Sequence, residues 1–405
     1  MREHARYIYE NAIRDNLPDN AVKKALGNMP NYSGRLILVA IGKASYQMAK
    51  SASECLGDRI DKGIVITKYG HSKGELPRIE ICEASHPVLD ENTILSTRKA
   101  LKLTEGLKKE DLVLFLVSGG GSALFEDIDC ELSQMQALTD ALLKCGASIE
   151  EINTVRKHIS RVKGGKFALH CMPARVYAIV LSDVIGNRLD MIASGPACAD
   201  LTTSSEALAI LDKYKISVDK EVLDIISTET PKAIENAIHN ISGSVSELCI
   251  SAKKYATELG YKTEILRDNE TGEARMLGYE LGELAKKYEN SDTPLAFIVG
   301  GETVVSVKGK GKGGRNQEIA LSGAIKIRGT YNVAIFSVGS DGTDGPTDAS
   351  GGYADGSTYD IIKNAEEYLE NNDAYNALSK ANGLIFTGPT GTNVNDVSVL
   401  LIQAK

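Results

Sequence analysis

Apolar residues along this chain come in short unbroken runs, each followed by a stretch in which apolar positions recur at helical spacing. Residues 36–41 form one such run, and behind it Ala49, Ala52, Cys55 and Leu56 share one face of a helix. This pairing predicts a βα unit. Further strands are predicted at 63–67, 79–83, 112–117 and 176–181, and helices at 93–107, 132–144 and 162–169. The runs at 36–41, 112–117 and 176–181 are uniformly apolar and do not alternate with polar residues, so both of their faces should be buried. Buried strands separated by helices predict a mainly parallel sheet covered on both sides.

Beyond Pro196 the texture becomes more polar, with helices expected at 204–214, 221–227 and 231–239 before strands return at 246–250 and 262–266. A domain change is therefore expected near residue 235, giving an N-terminal Rossmann-like α/β domain over 1–235 and a C-terminal α/β domain over 236–405. In the second, two apolar runs meet at Gly300-Gly301, which reads as a hairpin. A glycine-lysine loop, a helix over 315–327 and a strand over 332–338 follow, which suits a mixed sheet. The last run, 397–402, can add a strand to either domain, so the C-terminal segment is free to cross back to the first.

Composition narrows the function. The 405 residues suffice for two or three hydrophobic cores. No apolar run approaches the ~18 residues of a membrane helix, and the first residues show neither a signal-peptide apolar stretch nor a transit-peptide pattern, so a cytoplasmic location is expected. Lys plus Arg at 46 against Asp plus Glu at 54 gives a net charge of −8, without the basic excess that nucleic acid or anionic lipid demands. Seven cysteines lacking any CxxC read as reduced thiols, not as a zinc site or disulfide frame. Trp is absent and aromatics are 5%, which disfavours base-stacking platforms.

The 38 glycines concentrate where chemistry is plausible. Val117-Ser118-Gly119-Gly120-Gly121-Ser122 directly follows a predicted strand; three glycines there let the backbone turn sharply and aim N–H groups outward beside two hydroxyls, an anion cradle. A simple tight turn is the alternative, but one glycine would serve it. In Ile41-Gly42-Lys43-Ala44, Lys43 falls at the end of the first strand, in the crevice where ligands sit in open α/β sheets. Gly309-Lys310-Gly311-Lys312-Gly313-Gly314-Arg315-Asn316 contains GxGxxG, but no acidic residue stands about 20 positions on to hold a ribose. Lys310 and Lys312 instead suggest a mobile basic loop closing over polyphosphate, with Arg315 clamping an oxyanion.

Ser340-Asp341-Gly342-Thr343-Asp344 offers carboxylates suited to Mg²⁺, which is held by a few carboxylates plus substrate phosphates; an Asx-rich turn is the other reading. Leu181-Ser182-Asp183 places Asp183 at a strand end as a candidate base or metal ligand. His86 and His158 read as structural, and Arg156 and Lys157 as surface charge. Walker GxxxxGK[ST] and protein-kinase motifs are missing, so a phosphoryl transferase outside those families is the natural class.

Taken in order, Ile41-Gly42-Lys43-Ala44, Ser118-Gly119-Gly120-Gly121-Ser122, Leu181-Ser182-Asp183-Val184-Ile185-Gly186, Gly300-Gly301-Glu302-Thr303, Gly313-Gly314-Arg315-Asn316-Gln317-Glu318 and Gly339-Ser340-Asp341-Gly342-Thr343-Asp344-Gly345 resemble the MOFRL-type glycerate 2-kinases over nearly the whole chain. The resemblance implies two α/β domains with the active site in the cleft between them, and ATP- and Mg²⁺-dependent phosphorylation of D-glycerate to 2-phosphoglycerate in sugar or serine catabolism, including Entner-Doudoroff-type routes. It makes Lys43 and Arg315 essential cations. With it, Asp341 and Asp344, joined by Glu302, are expected to carry Mg²⁺, Asp183 to accept the hydroxyl proton, and Lys310, Lys312, Gly313, Gly314 and Asn316 to line the phosphate site. Small-molecule partners are expected, D-glycerate and ATP; a homodimer is compatible with the resemblance. Members of this family often carry the label hydroxypyruvate reductase, which makes an NAD(P)H-dependent reductase the competing activity, with 3-phosphoglycerate as a competing product.

Overall fold

The first long run, Leu36–Ile41, is a strand (β1) whose six residues are all buried, because its side chains pack alternately on two cores: Leu36, Leu38 and Ala40 on one face, Ile37, Val39 and Ile41 on the other. The computed structural model describes residues 1–182 and 184–405; Asp183 lies outside the described residues. Around β1 stand β2 (Lys62–Lys68), β3 (Ile79–Ala84), β4 (Leu112–Val117), β5 (Arg175–Leu181) and β6 (Ala237–Gly243), in the order β3-β2-β1-β4-β5-β6. The pairings β3-β2, β2-β1, β1-β4 and β4-β5 are parallel. The strands predicted at 36–41 and 112–117 have those bounds, and 176–181 gains one residue. The strand order runs outward from β1 in both directions, so the carboxyl ends of β1 and β4 are neighbours at the point where the winding reverses.

Three departures in this part have local causes. Residues 231–239, expected to be helical, begin with an irregular stretch and then enter β6 at Ala237. A helix at Ile149–Ile159 was not anticipated; it is capped by Ser148 and Glu151 and buries Ile152, Val155 and Ile159. Arg156 and Lys157, expected on the surface, therefore sit on a mostly buried helix, and Lys157 pairs with Asp200 (3.1 Å) and Asp190 (3.7 Å) at 1% exposure.

The second sheet has the order β11-β10-β9-β12-β8-β7, formed by β7 (Lys262–Glu270), β8 (Leu295–Gly301), β9 (Val333–Gly339), β10 (Gly351–Asp355), β11 (Leu384–Ile385) and β12 (Asp396–Ile402). It is mixed: β7 runs parallel to β8, while β12 is antiparallel to both β8 and β9. The last strand thus completes this sheet. No hairpin forms at Gly300-Gly301. Those glycines end β8 where Cβ atoms would collide with Cys249 Sγ and with the Glu270 carbonyl, so they serve close packing of β8 on its neighbours. Residues 246–250 lie in the helix Val245–Glu258, since Ser244 accepts from the Glu247 N–H at its start, an S-x-x-E cap that outweighs the short apolar run.

The chain divides into two units, residues 21–242 and residues 1–20 with 243–405. The change near 235 thus falls at 242, and a second change occurs at residue 20. The N-terminal helix Arg2–Asp15 belongs with the second sheet: Tyr9 packs edge-on against Phe336 of β9 (6.0 Å) and His4 Nδ1 lies 2.8 Å from the Tyr261 hydroxyl.

Candidate active site

In the unit 21–242, the ends of β1 and β4 are laced together. Ser118 N–H donates to the Ile41 carbonyl (3.0 Å), Lys43 N–H to the Gly119 carbonyl (2.9 Å) and Ala44 N–H to Ser118 Oγ (3.1 Å). This lacing needs a glycine at 42: its φ is +110°, and a Cβ there would strike Ser118. The structure thus brings Lys43 and the Ser118–Ser122 loop onto one spot. Among the described residues the Lys43 ammonium has no hydrogen bond or ion pair, and the Gly119 and Gly120 N–H groups have no partner. An anion meeting this surface finds a free cation and free donors together.

Gly120 is left-handed (φ +85°). A Cβ at this position would lie 3.0 Å from His86 Cδ2, 3.1 Å from His86 Nε2 and 3.1 Å from Lys43 Cγ. His86, read from the sequence as structural, therefore stands beside the cradle. Burial, reinforced by Lys43, Lys68 and His71, depresses its pKa below the ordinary imidazole value. His158 is a core residue, its Nδ1 2.8 Å from the Thr154 carbonyl oxygen.

The far side of the loop is held by residues to which the sequence reading gave no place in the site. Ser122 Oγ lies 3.1 Å from Ser194 Oγ, and Ser194 donates to Asn153 Oδ1 (2.8 Å). Ala193 and Ser194 both have positive φ, +51° and +58°, a strained pair of non-glycine residues that sets Ala193 under Gly121. Arg156 donates to the Ser122 carbonyl (3.1 Å), while its buried Nε has no partner among the described residues. Asp183, the expected base, lies outside the described residues.

In the other unit the centre is Arg315, the first residue of the helix Arg315–Lys326. Its Nε and Nη2 donate to the two Asp396 oxygens (2.5 and 3.2 Å) and its Nη1 to Glu302 (2.9 Å). Asp396 opens β12 and is almost wholly buried; burial, with Asp344 nearby, lifts its carboxyl to about 7 against the pull of Arg315. Burial opposes the charge on Arg315, but Asp396 and Glu302 more than offset it, so the guanidinium stays charged and fixed in direction, with N–H groups left over for a ligand. Sequence patterns missed Asp396. Its only local sign was a carboxylate just ahead of an apolar strand.

The carboxylates expected to form a metal cage are otherwise engaged. Asp344 accepts from the Asn316 and Gln317 N–H groups (3.1 and 2.9 Å), so it caps the helix that carries Arg315 from 28 residues away. Gly314 permits this, because a Cβ there would overlap the Asp344 carboxyl. Glu302 is paired with Arg315, and Asp341 accepts from Thr343 N–H (2.9 Å) while staying partly exposed. Among the described residues no group of three or more His, Cys, Asp or Glu is arranged to hold a metal ion. Asn316 is buried and bonded to Asp344 and Ser337, turned into the fold.

The glycine-lysine loop is a docked segment. Lys308 and Gly309 N–H donate to Asn372 Oδ1, Lys310 N–H to Asn371 Oδ1, Gly311 N–H to the Asn371 carbonyl and Lys312 N–H to Asp373 Oδ1. Cβ atoms at Gly309 and Gly311 would overlap residues 371 and 373, so these glycines permit close backbone contact and leave no cradle for a dinucleotide. Lys312 sits over the Tyr375 ring at 3.9 Å, and Lys310 projects into solvent. Gly313 packs on Ala374.

A doubly wound sheet with a cationic, glycine-lined loop at its reversal point, on a chain whose other unit aims a fixed arginine, defines a phosphoryl transferase of the two-domain α/β class. Residues 4–227 match the domain described as DUF4147, and residues 295–396 match the MOFRL family. A D-glycerate 2-kinase from Thermotoga maritima is 52% identical over 99% of this chain and 98% of its own length, and a glycerate 2-kinase from Pyrococcus horikoshii is 40% identical over 92% and 88%. A crystal structure of a glycerate kinase from Thermotoga maritima superposes with a TM-score of 0.94 at 51% identity, covering 99% of both chains. The chain belongs to the MOFRL-type glycerate kinase family.

Proposed function

We propose that this protein is a D-glycerate 2-kinase, moving the γ-phosphoryl group of ATP to the 2-hydroxyl of D-glycerate. The observation that carries the reading is Lys43, whose stem packs against Gly120 and whose ammonium has no partner among the described residues, beside the Gly119 and Gly120 N–H groups, which have none among them either. Phosphoryl transfer needs alignment and charge neutralisation more than covalent chemistry, because the group passes through a loose, in-line transition state. Lys43 and the Ser118 to Ser122 loop neutralise and orient an anionic group, a phosphate or the glycerate carboxylate. Arg315, already fixed by Asp396 and Glu302, presents its remaining N–H groups to a second oxyanion without paying to be ordered at that moment.

Mg²⁺ is expected to arrive with the nucleotide. Asp341, Asp344 and Glu302 are the carboxylates proposed to meet it; Asp344 also caps a helix and Glu302 also holds Arg315. Asp341 keeps an accessible carboxylate oxygen for a phosphate-borne ion. Cytoplasmic operation fits this substrate pair, and no helix among the described residues is long and apolar enough to cross a membrane.

The test is ³¹P NMR of the purified protein with ATP, Mg²⁺ and D-glycerate. A 2-phosphoglycerate resonance is expected. A 3-phosphoglycerate resonance would keep the class and overturn the product. Intact ATP, with NADH consumed on hydroxypyruvate, would replace a kinase by a reductase.

A further inference from the structure

We propose that His86 is the base that takes the proton from the glycerate hydroxyl as it attacks ATP, an inference that rests on the kinase reading above. The ring lies where the reacting groups have to come. Gly120 has no side chain to hold the His86 edge and the Lys43 stem away, so His86 Nε2 and the lysine stem both come within about one contact distance of the same point above the loop. The imidazole makes no hydrogen bond or ion pair with any described residue, and it is half-buried, neither locked in the core nor free in solvent. The other histidines of this unit are tied down: His71 to the Lys43 carbonyl, His158 to Thr154, His170 to Leu101 and His239 to Cys198.

Its surroundings keep it in the form a base requires. Among the described residues, the charged and titratable groups that face it are Lys43 beyond β1, Lys68 at the end of β2 and His71 in the following loop, all cationic or neutral. Together with burial they disfavour the imidazolium, so the ring is neutral at neutral pH. A neutral imidazole beside a lysine side chain suits the two needs of the step: the lysine lowers the cost of a negative oxygen and the imidazole removes its proton. In the reaction the hydroxyl oxygen bonds to the γ-phosphorus, the bond from that phosphorus to the β–γ bridging oxygen breaks, ADP departs with that electron pair, and the hydroxyl proton passes to His86 Nε2 and on to solvent through the exposed part of the ring.

The experiment compares pH profiles of kcat and kcat/KM for the wild type, H86Q, H86N, K68Q and D183N. H86Q retains a hydrogen-bonding group near Nε2 but cannot take a proton. The expected result is a fall in kcat of about 10²-fold in both His86 variants, with KM for ATP nearly unchanged and the acidic limb of the profile abolished. K68Q, which removes a cation facing the ring, should move that limb to higher pH, a shift that a purely structural histidine would not produce. Recovery of near-normal kcat in H86Q would make His86 a positioning residue and overturn the proposal; so would an unaltered acidic limb in H86Q with its loss in D183N. A wild type that transfers no phosphate would remove the kinase reading and this inference together, which separates that failure from failure of His86 alone.

Discussion

At the scale of single residues, Lys43 and Arg315 are prepared in different ways. Lys43 has no partner among the described residues, whereas Arg315 is held by two carboxylates before any ligand arrives. Both are expected to matter through charge in the transition state, so Lys43→Ala and Arg315→Ala should each lower kcat by about two or more decades. Unchanged circular dichroism would show that the fold is kept; near-normal turnover in either variant would remove its role. Asp396 gives a second prediction. Its carboxyl titrates at about 7 in the folded protein, above the usual value of 3.8, so between those values the native state holds a proton that the unfolded chain has released. Stability from this group is full below about pH 4 and is lost as pH rises towards 7. Asp396→Asn removes that slope. In urea titrations from pH 5 to 8, the stability of the variant relative to wild type should therefore improve with rising pH, whatever constant offset arises from depriving Arg315 of its partner.

At the scale of elements, the helix Arg315–Lys326 shows how one short segment serves the site. Gly314 at its N-cap offers no side chain, and the capping oxygen comes from Asp344 in the loop beyond β9. Asp344→Ala should cost roughly 1–2 kcal/mol, the value of a lost N-cap, read as a lower urea midpoint with no metal added. A variant of normal stability but weakened Mg²⁺ dependence would return Asp344 to the metal. Elements whose signal is local were legible: 36–41, 112–117 and 132–144 were read at their observed bounds because periodicity and β-branching need no distant partner. Residues 246–250 were misread because a run as short as Leu248-Cys249-Ile250 fits strand or helix equally, and the Ser244 to Glu247 cap that decides it carried less weight. Gly300-Gly301 was misread because glycine marks a turn and a close approach with the same letter.

At the scale of the whole chain, the N-terminal helix belongs to the same unit as residues 243–405. It buries Ile8 and Ala12 completely and Tyr9 nearly so. Burying a large apolar side chain is worth about 1.5–3 kcal/mol, so deleting residues 1–16 should destabilise the second unit. The expected readout is greater hydrogen exchange in β9 and in the helix Val245–Glu258, with β1 and β4 left protected; uniform protection in both would contradict it.

The sequence by itself determined the class of the first sheet, the strand-end position of Lys43 and the Ser118–Ser122 loop, and the presence of Arg315 at a helix start, because each follows from periodicity or from backbone demands within a few residues. Only the tertiary structure decided that Asp396, 81 residues away, orients Arg315, that Asp344 caps a helix, that the lysine loop is docked and that His86 stands over Gly120. The reason is strand order. Inserting β12 between β8 and β9 carries Asp396 to Arg315, and placing β2 and β4 on either side of β1 sets the loops of three strand ends side by side. Nothing in the spacing of residues along the chain encodes those neighbours.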